Sequence, residues 1–394
     1  MSKLFMFEKP LGMRDTLPSL FEMKRTVRRE MEQEIERWGY EQIETPTLEY
    51  YETVGAASAI LDQQLFKLLD QQGHTLVLRP DMTAPIARIA ASRLKEQGLP
   101  LRLAYDTNVF RSQQREGGRP AEFEQVGVEL IGDSTSSADA EVIALMIHTL
   151  KHAGLDQFTV ALGHIGFVRA LFVEILGNEE RAALLKRYLY EKNYVGYREH
   201  VKGLPLSSID KQLLLQLLKL RGGKGTFAQA RELTKNTKAL EALAELEELW
   251  ETLEAYGVTE FVKIDLNLVS HMSYYTGILF EGYAQKLGFL LCNGGRYDQL
   301  LNKFDCPAPA TGFGIRLDRL VEALEKTEVS APIKLILFSE ERKQDALRLA
   351  LENRTEGQRV VMQDIAGVEQ VDALTKRYQE VIYCIGAAGK ENEG

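Results

Sequence analysis

Residues 76–85 read LVLRPDMTAP, so an apolar run delivers Arg79, Asp81 and Thr83 to the start of a helix. Asp81 and Thr83 could hold an ammonium group. The plain alternative is helix capping, because Asp and Thr are common caps. Residues 109–130 read VFRSQQREGGRPAEFEQVGVEL, two strands around a loop that carries Arg111, Arg115 and Arg119. The planar fork of arginine suits a phosphate or carboxylate. On the second strand Phe123, Gln125, Gly127 and Glu129 alternate onto one face, with Glu124, Val126, Val128 and Leu130 opposite. That face is either a ligand wall or a solvated sheet surface. Tyr274 and Tyr275 open another strand, and Gly294–Gly295 ends the next one, ahead of Arg296-Tyr297-Asp298. Tyrosine hydroxyls are polar handles in apolar pockets, and glycine pairs let backbones approach closely. ATGFGIRLDRL, residues 310–320, places a G-x-G before a helix with Arg316 and Arg319 nearby. It is a phosphate cradle or, more simply, a tight turn. RGGKGT at 221–226 fails the P-loop pattern. The six histidines show no ligand spacing.

The elements that must position these groups follow from periodicity. Leu20, Met23, Val27, Met31, Ile35 and Trp38 recur at helical spacing over 18–38, with Ser19 and Glu22 as a capping box and Gly39 as the stop. Runs at 40–44, 65–69, 75–78, 101–105, 109–111, 123–131 and 158–162 are β-type, and helices are expected over 83–96 and 138–153. From about 166 to 256 the chain is nearly all helix formers, which indicates a helical insertion, with room for a small core of its own. Strands return from Ile264 to Asp298. A linker near 327–332 precedes a β-α-β-α-β pattern, expected to form a small, mostly parallel sheet. The expected domains are thus 1–165 with 257–327, the insertion at 166–256, and an α/β unit at 331–394.

Composition excludes some roles. A chain of 394 residues with 45% hydrophobic content is a core-forming protein of two or three domains. A net charge of −9 argues against a protein whose main work is gripping nucleic acid. Three unclustered cysteines, Cys292, Cys306 and Cys384, indicate a reducing compartment without a disulfide framework. The first residues show no signal-peptide run and no span suits a membrane. The expectation is a cytoplasmic protein with no cofactor and no metal.

In order and spacing, the blocks GYEQIETPTLE, LVLRPDMTAP, FRSQQREGGRPAEFEQVGVELIG, LVSHMSYYTGILFE, CNGGRYDQLL and GFGIRLDRL resemble the class II aminoacyl-tRNA synthetase core over roughly residues 5–325. The Tyr-Tyr and Gly-Gly-Arg-Tyr-Asp blocks resemble histidyl-tRNA synthetase in particular. The resemblance implies an α+β fold, a six- or seven-stranded antiparallel sheet flanked by helices, and a homodimer through the first long helix and the following strand. It implies a histidine pocket in which Asp81 receives the ammonium group, Thr83, Gln125 and Glu129 line the wall, and Tyr274 and Tyr275 bound the imidazole. It further implies that Arg111 and Arg319 stand where two arginines hold ATP phosphate, and Phe123 where a ring stacks on adenine. Here these three are either a vestigial nucleotide site or groups kept for structure.

Departures from the synthetase pattern bear on activity. Where synthetases read like V-R-G-L-D-Y-Y, this chain has Val269-Ser270-His271-Met272-Ser273-Tyr274-Tyr275, so Ser270 replaces the arginine that helps activate the carboxylate and Ser273 the aspartate. Losing a cation that meets developing charge costs orders of magnitude in rate. The F-R-x-E start of the hairpin becomes Phe110-Arg111-Ser112-Gln113. Residues 331–394 are shorter than an anticodon-binding domain and hold nine Lys or Arg against eleven Asp or Glu, so no tRNA is expected. A pocket that keeps histidine-binding groups and loses adenylation groups resembles the regulatory subunits of ATP phosphoribosyltransferase. Members of that family are synthetase paralogues that do no chemistry themselves. They accompany a short-form catalytic subunit in a hetero-octamer and report histidine as feedback inhibitor of the first step of histidine biosynthesis. The alternatives are a divergent histidyl-tRNA synthetase and another amino-acid-adenylating ligase of the same fold.

Overall fold

The computed structural model describes residues 8–112, 120–270, 274–285, 287–324 and 332–386. Two compact units divide the chain, residues 1–326 and 327–394.

In the first unit the long helix α1 (Pro18–Arg37) buries Val27, Met31 and Ile35, spaced four apart as one stripe. The capping box does not form. Pro18 occupies the first turn and Leu17 is the cap position, without a side-chain bond. This places Ser19 inside the helix, and Glu22 pairs with Arg25 instead. Proline suits that first turn because its missing N–H would be unpaired there anyway. A short strand β1 (Glu41–Gln42) follows. A small antiparallel sheet is made of β2 (Leu48–Tyr50), β3 (Lys67–Leu69) and β4 (Thr75–Leu78), with β4 central. β4 leads into Arg79–Asp81 and helix α2 (Thr83–Ile89), which continues as irregular turns to Gln97.

Next come β5 (Leu101–Phe110), β6 (Glu122–Ile131), helix α3 (Ser136–His152) and β7 (Phe158–His164). β5 is one continuous strand where the sequence pattern indicated two, because Asp106–Asn108 pair with β6 as regularly as their apolar neighbours do. The helical stretch follows: α4 (Ile165–Leu176), α5 (Glu179–Tyr190), α6 (Tyr194–Gly203), α7 (Ser208–Leu217), a two-residue strand β8 (Arg221–Gly222), α8 (Gly225–Arg231) and α9 (Thr237–Ala255). It has no core of its own. Leu185, Tyr197, Leu243 and Leu246 belong to the same buried cluster as Ile143 and Met146 of α3 and Val160 of β7. Strands then return as β9 (Val262–Asp265), β10 (Ile278–Ala284), β11 (Leu290–Arg296) and β12 (Ala310–Arg316), closed by helix α10 (Leu317–Leu324).

Among the described residues, nine strands form one sheet in the order β1-β5-β6-β12-β11-β10-β7-β9-β8. The six from β5 to β7 are antiparallel throughout; β1 joins β5 and β9 joins β7 in parallel. One face carries the main apolar cluster, with Val126, Val128 and Leu130 of β6 fully buried against α1 and α3. On the other, Leu103, Tyr105, Val109 and Phe123 pack with α2 and with Tyr274 and Tyr297 in a second cluster. β6 thus has no solvated face. The glycine pair Gly294–Gly295 lies inside β11 rather than ending it, and Gly312 and Gly314 lie inside β12, so that segment is neither a phosphate cradle nor a turn.

The second unit is a three-stranded parallel sheet, β13 (Ile333–Phe338) between β14 (Arg359–Asp364) and β15 (Glu380–Cys384), with helices α11 (Lys343–Thr355) and α12 (Val371–Thr375) in the connections. Ile336, Phe338 and Cys384 bury against Ala346 and Ala350 of α11. Among the described residues no helix is long and apolar enough to cross a membrane.

Candidate functional site

Strand register builds the site. Across the sheet Leu103, Glu129, Gly312 and Gly295 fall in one row, and Tyr105, Gly127, Gly314 and Asn293 in the next. Tall side chains therefore stand beside glycines. A Cβ on Gly312 would overlap the Glu129 carboxylate, one on Gly314 the Gln125 amide, and one on Gly127 the Tyr105 hydroxyl. Gly295 leaves room for the ring of Tyr275. The glycines thus form a floor on which Glu129, Gln125, Tyr105 and Tyr275 lie down.

Asp81, Thr83, Gln125, Glu129, Tyr274 and Tyr275 all line the same cavity above this floor. Arg111 lines it too and is the one cationic residue among its described lining groups. Sequence reasoning missed Tyr105 and the floor glycines Gly127, Gly312 and Gly314 as parts of the site, and gave Asn293 and Tyr297 no role of their own. Alternation along β5 from Leu103 was the available signal for Tyr105. For Asn293 there was none, since polar residues inside an apolar strand carry no direction until register is known.

Asp81 lines the cavity and caps α2. One carboxylate oxygen accepts the Ala84 backbone N–H at 3.2 Å, capping α2, and the other accepts the Ser58 hydroxyl. Glu129 is 2% exposed and accepts the Tyr297 hydroxyl. Burial pushes its pKa up from 4.5 to about 8, with the nearby Asp81 charge adding to the rise and hydrogen bonds from Tyr297 and Thr83 opposing it. Burial likewise raises the pKa of Tyr105, Tyr274, Tyr275 and Tyr297, helped by the Glu129 charge in each case. Tyr274 meets Tyr275 edge-on with ring centroids 4.8 Å apart and Tyr297 at 5.7 Å. Arg111 donates through Nε to the Pro80 carbonyl at 2.9 Å. Its burial lowers its pKa, and the Asp81 charge counters that.

Arg296, next to Tyr297, is a clamp. Its guanidinium binds Asp139 at 2.8 Å and the carbonyls of Asp133 and Thr135 at 3.0 and 3.1 Å. Arg79 plays a similar part, donating to the carbonyls of Thr45 and Asn108 at 2.7 and 2.8 Å. His164, at the end of β7, accepts the Gly166 N–H through Nδ1 and donates through Nε2 to Glu245 of α9, each at 3.0 Å.

Of the groups expected for a nucleotide, Arg111 lies 5.3 Å from the Phe123 ring centroid, whereas Arg319 packs on Phe289. Phe123 and Arg319 do not line the cavity. Arg319 lies 5.5 Å from the Phe289 ring centroid and donates to the Leu290 carbonyl. Arg115, Arg119 and Gln113, and His271, Met272 and Ser273, lie outside the described residues; Ser270 is half-buried. No cluster of metal-ligating side chains occurs among the described residues.

Two carboxyl groups, one guanidinium and several phenols around one cavity complement the charges of an amino acid: a cation at Asp81 and Glu129, a carboxylate at Arg111, and hydrogen bonds for a polar side chain.

The chain is similar to known proteins along nearly its whole length. A family model described as histidyl-tRNA synthetase matches residues 12–320, and one described as the histidyl-tRNA synthetase HisZ C-terminal domain matches 335–386. The ATP phosphoribosyltransferase regulatory subunit of Geobacillus kaustophilus is 66% identical over 391 residues, 99% of both chains. That of Bacillus subtilis is 60% identical over 99% of this chain and all of its own length. A crystal structure of an ATP phosphoribosyltransferase regulatory subunit/histidyl-tRNA synthetase from Bacillus halodurans superposes with a TM-score of 0.91 at 62% identity, covering 98% of this chain and 100% of that one. Histidyl-tRNA synthetase from Nostoc shares the fold, with a TM-score of 0.79 over 94% of this chain and 88% of its own, at 19% identity. By identity over its full length, as well as by fold, the chain belongs to the ATP phosphoribosyltransferase regulatory subunit family.

Proposed function

We propose that this chain senses histidine for ATP phosphoribosyltransferase and leaves the chemistry to its catalytic partner. One observation carries the reading. The cavity of Asp81, Thr83, Arg111, Gln125, Glu129, Tyr274 and Tyr275 carries charges complementary to an amino acid, and Glu129 with the phenols offers hydrogen-bonding partners for an imidazole. The ammonium group sits at Asp81, the carboxylate faces Arg111, and the ring lies against Glu129 and the tyrosines.

The relatives are named regulatory subunits, which supports a role beside the short-form catalytic subunit in the first step of histidine biosynthesis. The assembly is a cytoplasmic hetero-octamer built on a homodimer of this chain, without tRNA. If the complex has active and inhibited arrangements, histidine binds the inhibited one more tightly. Histidine affinity and inhibition are then one reciprocal coupling of about 1–3 kcal/mol.

The family model for histidyl-tRNA synthetase over residues 12–320 favours a second reading, a divergent synthetase or another adenylating ligase. Ser270, Ser273 and Gln113 oppose it, because the groups that would meet charge in adenylyl transfer are replaced. Calorimetry with histidine beside histidine-dependent ATP–pyrophosphate exchange separates the two. Binding without exchange is the expected result; robust exchange by the purified chain would overturn the sensor reading.

A further inference from the structure

Phe123 is where a nucleotide would find a stacking surface beside the amino-acid cavity. It is an aromatic ring 5% exposed, on the same strand as Gln125 and Glu129, with a guanidinium close by. Nucleobases stack on such rings whatever their identity. The ring is already engaged. The guanidinium carbon of Arg316 lies 3.9 Å from its centroid and that of Arg111 at 5.3 Å, both within cation–π range of about 6 Å. Asp318 holds one edge of the Arg316 guanidinium, with Nη2 to Oδ2 at 3.0 Å and Nε to Oδ1 at 3.4 Å. A planar cation held along one edge by a carboxylate takes the place over the ring that a base would need.

A second observation points the same way. Phe123 also borders a hollow of about 350 Å3 lined by Asp15, Glu122, Glu124, Asp318 and Glu322, against Arg14 and Lys24. Polyphosphate entering there would meet more carboxylate than cation.

We propose that Arg316 is a built-in occupant of the base-stacking face of Phe123, confining the site to an amino acid by excluding a nucleotide. The inference rests on the reading of the neighbouring cavity as a histidine site, and its test keeps the two separate. Histidine titration reports the cavity; nucleotide titration reports Arg316.

The experiment is equilibrium dialysis and calorimetry on the full chain with Mg-ATP and, separately, with L-histidine. Wild type, Arg316→Ala, Arg316→Lys and Asp318→Asn are compared. Arg316→Ala should gain ATP affinity on the order of 10-fold, the scale of one base–aromatic stack, with histidine affinity unchanged within about 3-fold. Arg316→Lys, which keeps the charge but not the plane, should gain less. Asp318→Asn loosens the guanidinium without removing it, so it should gain measurably and carries the test if Arg316→Ala does not fold. ATP affinity equal in wild type and every folded variant overturns the proposal, as does a wild type that binds ATP as tightly as Arg316→Ala. Loss of the histidine heat in wild type would sink the sensor reading instead, without touching the comparison of ATP affinities.

Discussion

Tyr297 donates its phenolic hydrogen to the Glu129 carboxyl at the centre of the cavity, where both side chains are almost fully buried. A carboxyl held there by a phenol, with Asp81 beside it, keeps its proton well into the neutral range. A cationic ligand reverses that preference.

Histidine binding near neutral pH should therefore release a proton from Glu129. Calorimetry in buffers of different ionisation enthalpy reads this directly: wild type shows a proton released on binding below about pH 8, and Glu129→Gln shows less. The unliganded protein carries a matching signature. The folded pKa of Glu129 is raised, so its stabilising contribution is whole below the ordinary value of 4.5 and is lost as pH rises through about 8. Thermal midpoints should fall across that window in wild type, and fall less in Glu129→Gln.

Asp81 caps α2 and, under the proposed function, holds the ligand's ammonium group; two substitutions divide these roles. Asp81→Ala removes the α2 cap as well as the ligand charge, and loss of such a cap costs about 0.5–2 kcal/mol. Asp81→Asn keeps an oxygen for Ala84 and removes only the charge. Histidine affinity should drop about 10-fold or more in both variants, since a hydrogen bond to a charged group contributes about 1.5–3 kcal/mol. Only Asp81→Ala should lose substantial thermal stability. In the complex with its catalytic partner, Asp81→Asn should show weakened histidine inhibition with assembly intact; full inhibition would place the sensor elsewhere.

The glycine floor predicts an ordering. A Cβ on Gly312 meets the Val128 backbone carbonyl as well as Glu129, and the backbone cannot give way cheaply. On Gly314 it meets the end of Gln125, which can rotate, and the Tyr105 hydroxyl. Gly312→Ala should thus be destabilised by about 1–3 kcal/mol and Gly314→Ala by less, while both weaken histidine binding. Chemical denaturation with histidine titration checks the order, and a Gly312→Ala protein as stable as wild type would contradict it.

Arg296 and Asp139 form a pair with both side chains under 10% exposed. Removing one partner strands the other charge, at a cost of about 3–5 kcal/mol. Asp139→Asn should lower the denaturation midpoint accordingly, whereas exposed pairs such as Arg187–Glu191 should contribute little.

Much of this fold was legible from local pattern. The stripe Val27, Met31, Ile35 defines α1, and alternation along residues 123–131 defines β6, because one face of each is apolar and the period is unambiguous. Block order brought out Asp81, Thr83, Gln125, Glu129 and the two tyrosines. What escaped depends on partners distant in sequence. Gly312 and Gly314 read as a turn because glycine signals backbone freedom locally; only pairing with β6 shows that they make room for Glu129 and Gln125. The contact of Arg316 with Phe123 was hidden for the same reason, since the two lie far apart along the chain. The insertion lacks a separate core because α9 packs on α3, a contact that no window of sequence contains.

The glycines under the cavity also constrain how this site can change over generations. With side chains excluded from below, a substitution that adds bulk to the floor disrupts Glu129 or Gln125 before it can offer a ligand anything new. Routes to a different effector are left to the walls, to Gln125, Asn293 and Tyr275, whose exchange alters hydrogen bonding without moving a strand. The pocket can drift in chemistry far more readily than in depth.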